Sequence, residues 1–529
     1  MMGTHDSQQP LFYVGFDLDS RVRADDPLRQ VRDRIDFSFV RREVAGVYGR
    51  NGHVSIDPEV ILKLLFLLFF DDVKSERELM RQLSYRLDYM WFLGFRLDDP
   101  TPNHSVLSKA RRRWGPEVFE RLFVHTVEQC VEAGLVYGSK LHMDATFVDA
   151  DASKDSVKKG SPELIEALRR AYSGQESKLD DVSEADSASP DDDDEDDHDA
   201  STGASDDDDP STTTRVNQTL LSTTDPDAAV VRQGNREPRP RYKHHRAVDD
   251  AHGVVTAVAT TPGDADEAKL LSPLIDQHEQ NTQSQVATVV ADSRYGTIEN
   301  QLACADRGIR GHMACLEGKQ KGSGRRAGIF DESMFIFDAS SNTYICPAGN
   351  RMRPRRLHAE RQSWDYVTAR GVCASCSMRG QCTRSKTGRS IKRHVEQDRI
   401  DLARRRADSG LAKRDRLRRK HLMEGSFAQG ANNHHLKRSR WRRLWRQQIQ
   451  DWLIASVQNM KILLSRFGPS SRRVLGMALL APIRPLIRLI AALGLRHGLG
   501  QAVQALKTPL LGLRRKIARR PLTSWFVPI

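Results

Sequence analysis

The sequence predicts a mixed α/β protein: an all-α N-terminal segment, an α/β core drawn from stretches far apart in the chain, and two insertions that interrupt it. Three observations carry this. Up to about Gly134 the apolar positions recur at helical spacing. From Lys140 onward, short β-rich runs alternate with helical ones. The charge is also unevenly spread: of 529 residues 82 are Lys or Arg and 70 are Asp or Glu, a net +12, yet much of the negative charge lies in one run between Asp180 and Asp209. Outside that run the chain is strongly cationic, as expected for a protein that binds a polyanion.

Composition narrows the setting. A length of 529 residues suggests three or four structural units, and a hydrophobic share of 39% points to long polar segments. Seven cysteines in so long a chain do not make a disulfide framework, and Met1-Met-Gly-Thr-His-Asp6 is not a basic stretch followed by an apolar core. The expectation is an intracellular, cytoplasmic protein with reduced thiols. The most apolar run, Ile61–Phe70, contains Lys63 and ends at Asp71-Asp72, short of the roughly 20 residues a membrane span needs.

Residues 1–134 form the helical segment. Asp57-Pro58 is an N-cap and first-turn pair for the Ile61–Phe70 helix, and Ser75-Glu-Arg-Glu-Leu79 opens a second, with Met80, Leu83 and Leu87 inward. After the turn-rich Leu97–Ser105 comes Val106–Trp114, carrying Lys109, Arg111, Arg112 and Arg113. Helices separated by a tight turn, the later one basic, fit a helix-turn-helix that lays its basic helix on DNA; a solvated basic helix in a bundle is the alternative. Glu117–Ala133 completes the unit.

Residues 135–315 begin the core. Along Lys140–Asp149, Leu141, Met143 and Phe147 alternate with His142, Asp144, Thr146 and Val148, the period of a strand. Asp144 interrupts it. A buried carboxylate must be paired, hydrogen-bonded or metal-bound, and a lone one is more often a structural ion pair. A small helix follows Ser161-Pro162, then an acidic low-complexity insertion at about 174–215, expected to be disordered because like charges cannot bury enough apolar surface. Tyr242–Val248 and Val254–Thr260 form a hairpin. Thr261-Pro-Gly-Asp264 opens a helix with Leu270, Leu271, Leu274 and Ile275 inward. The apolar strand Gln285–Ala291 ends in Asp292-Ser-Arg-Tyr-Gly296, a helix starts near Ile298, and Ile309–Cys315 is a last strand. This is the order of an RNase H-like α/β core, in which a carboxylate on the first strand lies beside one at the end of the fourth.

Residues 316–410 are a basic insertion before the last core helices. Cys346, Cys373, Cys376 and Cys382 can supply a tetrahedral structural Zn2+ site or remain free thiols, and both readings stand. Residues 411–467 return to helix, with Glu424 and then Lys437, Arg438, Arg440, Arg442 and Arg443 interleaved with Trp441 and Trp445. Such interleaving offers cations for phosphates and rings for bases, or else arginines snorkelling over a Trp-lined helix contact. Residues 468–529 are a basic amphipathic tail rich in Pro, Leu, Ile and Arg.

Taken together, Asp57-Pro-Glu-Val-Ile-Leu-Lys63, His142-Met-Asp-Ala-Thr146, Ser222-Thr-Thr-Asp-Pro-Asp227, the Tyr242–Gly253 hairpin, Ala291-Asp-Ser-Arg-Tyr295 and the Glu424 helix resemble the DDE transposases of bacterial insertion sequences, over roughly Val31 to Leu464. The resemblance implies an enzyme that binds the terminal inverted repeats of a mobile element and catalyses DNA strand cleavage and strand transfer. It implies double-stranded DNA as partner, a homo-oligomer assembled on it, and two Mg2+ ions, with Mn2+ as substitute, held by Asp144, Asp292 and Glu424. The family commonly sets its glutamate in a Tyr-x2-Arg-x3-Glu-x6-Lys pattern. Here Leu417, Lys420 and Ala431 stand at the other positions, so Glu396 is a rival third acid. The alternative function is a catalytically impaired DNA-binding protein or repressor that keeps the fold; a nuclease that cuts without joining is a third.

Overall fold

The structure, a computed structural model, describes residues 17–49, 54–185, 219–235, 237–315 and 328–467. The tail and most of the acidic insertion, 186–215, lie outside the described residues. The described chain through Leu463 belongs to one compact unit.

The N-terminal segment is all helical: α1 Leu18–Arg21, α2 Pro27–Arg34, α3 Phe39–Val44, α4 Pro58–Phe70, α5 Glu76–Leu83, α6 Leu87–Leu93, α7 Ser105–Trp114 and α8 Pro116–Glu132. Helix α4 is its axis. Asp57 caps it by accepting the Glu59 N–H at 2.9 Å and is held by the Arg41 guanidinium at 2.6 Å, while Pro58 sits where a missing N–H costs nothing. From Leu64 to Phe70 every residue of α4 is buried, so the apolar run is a core helix, as expected.

The core opens with β1 Lys140–Asp149. After β2 Val157–Lys159 comes α9 Pro162–Ala185, far longer than the small helix expected, so that 174–185, assigned above to a disordered insertion, is helical instead. Then follow β3 Leu220–Ser222, β4 Ala229–Val231, β5 Arg239–Asp249, β6 Val255–Pro262, α10 Leu271–Thr282, β7 Thr288–Val290, α11 Ile298–Asp306 and β8 Arg310–His312. The main sheet runs β5-β1-β7-β8, with β6 and β4 sharing the outer edge of β5. β1 pairs antiparallel with β5 and parallel with β7, which is parallel to β8. Strands β7 and β8 keep only three paired residues each, shorter than the apolar runs suggested.

One face of the sheet packs under α10 and α11 through Leu141, Met143, Leu271, Leu274, Val289 and Cys304 of one apolar cluster. The opposite face is covered by α14 Gly410–Asn433 and α15 Leu444–Phe467. Helix α15 also closes the β6 edge. The Asn459 side chain exchanges two hydrogen bonds of 2.8 Å with the Val255 backbone, and Asp451 accepts from the Thr260 hydroxyl at 2.6 Å. An edge whose backbone groups are bonded in this way cannot recruit another strand.

Between β8 and α14 the chain builds a second, five-stranded antiparallel sheet, in which β9 Ile336–Asp338, β10 Thr343–Ile345, β11 Arg351–His358, β12 Ser363–Thr368 and β13 Ser390–His394 lie side by side in chain order. The four-residue helix α12 Arg379–Cys382 precedes β13, and α13 Gln397–Ala407 returns to pack on α11 and β8.

Candidate active site

Asp144 and Asp292 share one row of the main sheet. In the parallel pairing of β1 with β7, His142 lies opposite Val290, so two residues further on Asp144 lies beside Asp292 with its side chain on the same face. Pairing ends at Val290, and Asp292 turns to cap a single 3-10 turn by accepting the Arg294 N–H at 2.8 Å. Burial pushes the Asp144 carboxyl above the usual carboxylate range; Arg419 opposes this, and the nearby Asp292 charge adds to it. The two carboxylates therefore lie close enough for the charge of one to affect the other.

Helix α14 crosses this face from β8 to β5. Asp415 meets His312 of β8 at 2.7 Å and Lys140 of β1 at 3.1 Å; Arg419 reaches Asp144 at 2.5 Å; Ser426 accepts from the Arg246 guanidinium of β5 at 2.8 Å. These contacts, with the buried Ala412, Met423 and Gly430, recur every three or four residues along one side of the helix. Glu424 is five residues beyond Arg419, about 140° round the helix at 3.6 residues per turn. Its side chain is 63% exposed and its partner is Lys420 at 3.9 Å. The third carboxylate expected from the resemblance is thus not gathered with the first two.

Glu396 is not gathered either. It pairs with Arg399, which also pairs with Asp306 in the last turn of α11, whereas Asp292 precedes the first turn of that helix. A nine-residue helix spans about 13 Å, which separates the two positions. Among the described residues no three His, Cys, Asp or Glu side chains stand as a formed metal-holding group. The chemistry of Asp144 and Asp292 nevertheless suits a divalent cation: two neighbouring hard-oxygen donors, one raised by burial and by the other's charge, are relieved by shared positive charge. In this arrangement Arg419 supplies that charge.

Three residues near the site were not singled out from the sequence. Arg419 lies in a run of basic residues with nothing to distinguish it. Tyr295 is wholly buried, its hydroxyl has no hydrogen-bond partner among the described residues, and its ionisation is suppressed first by burial and then by the charges of Glu267, Asp144 and Asp292. Glu267 is itself held by Arg294 at 3.0 Å and Lys243 at 3.3 Å. A tyrosine three positions past an aspartate that follows an apolar strand is a signal the sequence did carry.

On β5, directly opposite Asp144, Arg246 is fully buried. Its guanidinium donates to His244 at 2.8 Å, to Gln458 at 2.9 Å and to Ser426, and lies over the Phe427 ring at 4.8 Å. Burial lowers its affinity for the proton to about 10. His244 in turn sits 2.8 Å from Asp451 of α15, so buried charges tie β5 to both covering helices.

Several arginines assigned above to DNA are instead internal. Arg111 is buried, paired with Glu76 and stacked on Trp441 at 3.9 Å; Arg440 binds Asp72 at 2.8 Å and lies over Phe69; Arg443 is buried against Asp227 and the Tyr172 ring. These three correct the DNA-contact assignment, and the physical reason is that each guanidinium is spent on a carboxylate and an aromatic face inside the protein. Lys109, Arg112, Arg113, Lys437, Arg438 and Arg442 lie on the surface.

The four cysteines of the second sheet, Cys346, Cys373, Cys376 and Cys382, line a single cavity. All are free.

Comparison with known families gives two matches. Residues 16–113 match a transposase domain (DUF772), and residues 345–464 match a transposase DDE domain. The second covers Glu424 and the four cysteines but neither Asp144 nor Asp292. No curated protein matches the chain.

Proposed function

We propose that this chain, which its two family matches support as an insertion-sequence DDE transposase, binds the terminal inverted repeats of its element and performs Mg2+-dependent strand cleavage and strand transfer at Asp144 and Asp292, with Glu424 as the third carboxylate. The observation that carries this reading is the placement of two aspartates side by side on one face, Asp144 midway along β1 and Asp292 just past the end of the parallel β7, with Asp144 half-buried and its carboxyl raised chiefly by that burial. The sheet order β6-β5-β1-β7-β8, antiparallel on one side of β1 and parallel on the other, supports an RNase H-like core.

Each residue has a role in that reading. Asp144 and Asp292 would hold divalent ions, which when bound stabilise charge on the attacking and leaving oxygens of an in-line phosphoryl displacement. Glu424 would join them by a rearrangement of the α14 surface, since its contact with Lys420 is long and exposed and holds it only weakly. Arg419 keeps the Asp144 carboxylate paired until a cation takes its place. Lys109, Arg112, Arg113, Lys437, Arg438 and Arg442 would neutralise phosphates of bound duplex.

A second reading, a DNA-binding protein that does not cut, is favoured by one observation: Arg419 already neutralises Asp144 while Glu424 faces solvent. The test is incubation of an element-end duplex with the protein and Mg2+. The leading reading expects nicks at the element ends that disappear in Asp144→Ala, Asp292→Ala and Glu424→Ala. End binding with no metal-dependent nicking by the parent protein would establish the second reading instead.

A further inference from the structure

The second sheet holds a grouping that the chemistry at Asp144 does not use. Its apolar core consists of Phe335, Tyr344, Met352, Tyr366 and Ile391, with a few half-buried neighbours. Five buried side chains are few for a sheet running from Ile336 to His394, and elements of this size are usually stapled by disulfides or a metal.

At the edge of that core Cys346, Cys373, Cys376 and Cys382 line one cavity of about 20 Å³, together with Phe335 and Met352. A space of that size accommodates about one small sphere. The thiols arrive from three separate segments. Cys346 lies in the turn between β10 and β11, closed by its own N–H on the Asn350 carbonyl at 3.0 Å and by the Gly349 N–H on its carbonyl at 2.8 Å. Cys373 and Cys376 lie in the loop after β12, and Cys382 ends α12; the Arg379 N–H donates to the Cys376 carbonyl at 3.1 Å and links the loop to that helix.

Cys373 is also held from behind. Gly388, at φ +103°, approaches it so closely that a Cβ there would lie 3.0 Å from the sulfur, so the backbone has been brought against this thiol. The charge balance fits as well. Arg379 and Arg389 line the same cavity.

We propose that Cys346, Cys373, Cys376 and Cys382, which line one cavity without standing as a formed metal-holding group, close on a structural zinc ion as its ligands and so staple the turn after β10 to the loop and helix before β13. On binding, each thiol releases its proton to solvent and each sulfur donates one electron pair to Zn2+ in a tetrahedral set. Four thiolates and one divalent ion leave a charge of −2, which Arg379 and Arg389 offset. Soft sulfur donors select zinc, whereas hard carboxylates select magnesium, so this site is independent of Asp144 and Asp292 and stands whether or not the protein cuts DNA.

The test uses the full-length protein reconstituted with ZnCl2 alone or CoCl2 alone. The expected result is about one tightly held zinc per chain by atomic emission, and, for cobalt, the thiolate-to-metal charge-transfer absorption of a four-sulfur site. Cys376→Ser and Cys382→Ser should lose the zinc and weaken the cobalt band, while Cys315→Ser and Asp144→Ala keep both. Should the serine variants fail to fold, the cobalt spectrum of the parent protein decides: absence of a thiolate band overturns the proposal. Zinc retained in full by Cys376→Ser and Cys382→Ser, or a disulfide joining any two of the four in the protein as isolated, overturns it equally.

Discussion

Asp225 is wholly buried, and its carboxyl is pushed up to about 6, chiefly by that burial, against hydrogen bonds donated by the Tyr242 hydroxyl at 2.7 Å and the Arg443 N–H at 3.2 Å. Its folded-state pKa lies above the unfolded one, so between about pH 4 and pH 6 the native protein binds the extra proton. The associated stability is fully present below about pH 4 and is lost as pH rises through 6. At about 1.4 kcal/mol per pKa unit the loss is about 2–3 kcal/mol. Asp225→Asn can accept the same two hydrogen bonds without a charge, so the variant should match the parent protein at pH 4 and exceed it by about 2 kcal/mol at pH 8 in urea denaturation. A parent protein no less stable than Asp225→Asn at pH 8 would count against this account. The Ser222–Asp227 motif is plain in the sequence, but its purpose is not. Asp225 gains its meaning only when Tyr242 of β5 and the start of α15 are brought to it, and neither lies within local reach.

Helix α14 shows the same limit at the scale of an element. Its existence is legible, because Leu411 onward has helical composition without proline, but its end at Asn433 is not, since helix was expected to run on to Phe467. Its orientation is not, because the side that faces the sheet carries Asp415, Arg419, Ser426 and Gly430, which no apolar periodicity marks. Reading Glu424 as sheet-facing therefore rested on the family pattern alone. What the helix does present to Asp144 is Arg419, with a side chain only 14% exposed and its Nε buried without a partner among the described residues. Removing it leaves Asp144 beside Asp292 without a counter-ion, so Arg419→Gln should lower Tm in chelator by several degrees. Added Mg2+ should then raise Tm more in Arg419→Gln than in the parent, because the cation no longer competes with a guanidinium. Equal Mg2+ shifts in the two proteins, measured by differential scanning calorimetry at matched salt, would show that Arg419 and the metal do not share Asp144.

At the scale of the whole molecule, the segment that reads from sequence as a separate helical domain is fastened to the core by its most important helix. The C-terminal carbonyls of α4 need partners from outside the helix. Phe69 accepts from His434 at 2.7 Å and Phe70 from Lys461 at 3.2 Å, while Arg440 binds Asp72 just beyond. Trp441 is wedged between Phe69 and Arg111, and Cys130 and Leu135 pack with Val254 and Leu463. Local pattern marked α4, the start of α5, α7 and α8, but it ran α5 and α6 together and drew no bounds for α1 to α3, and it could not reveal that the basic helix α7 spends Arg111 on a tryptophan supplied by the far end of the chain. The same contacts fix an expectation for folding. A fragment ending at residue 134 would expose the end of α4, the Arg111–Glu76 pair stripped of Trp441, and one side of α8. The loss of a few such buried contacts, each about 1–3 kcal/mol, exceeds what a segment of this size can spare. The fragment should therefore show helical far-ultraviolet dichroism without a cooperative thermal transition, whereas residues 1–467 should unfold with α4 and the β5–β1 pairing losing hydrogen-exchange protection together. Independent protection of α4 while β1 exchanges freely would restore the two-domain picture, in which a DNA-reading head moves separately from the aspartates it serves.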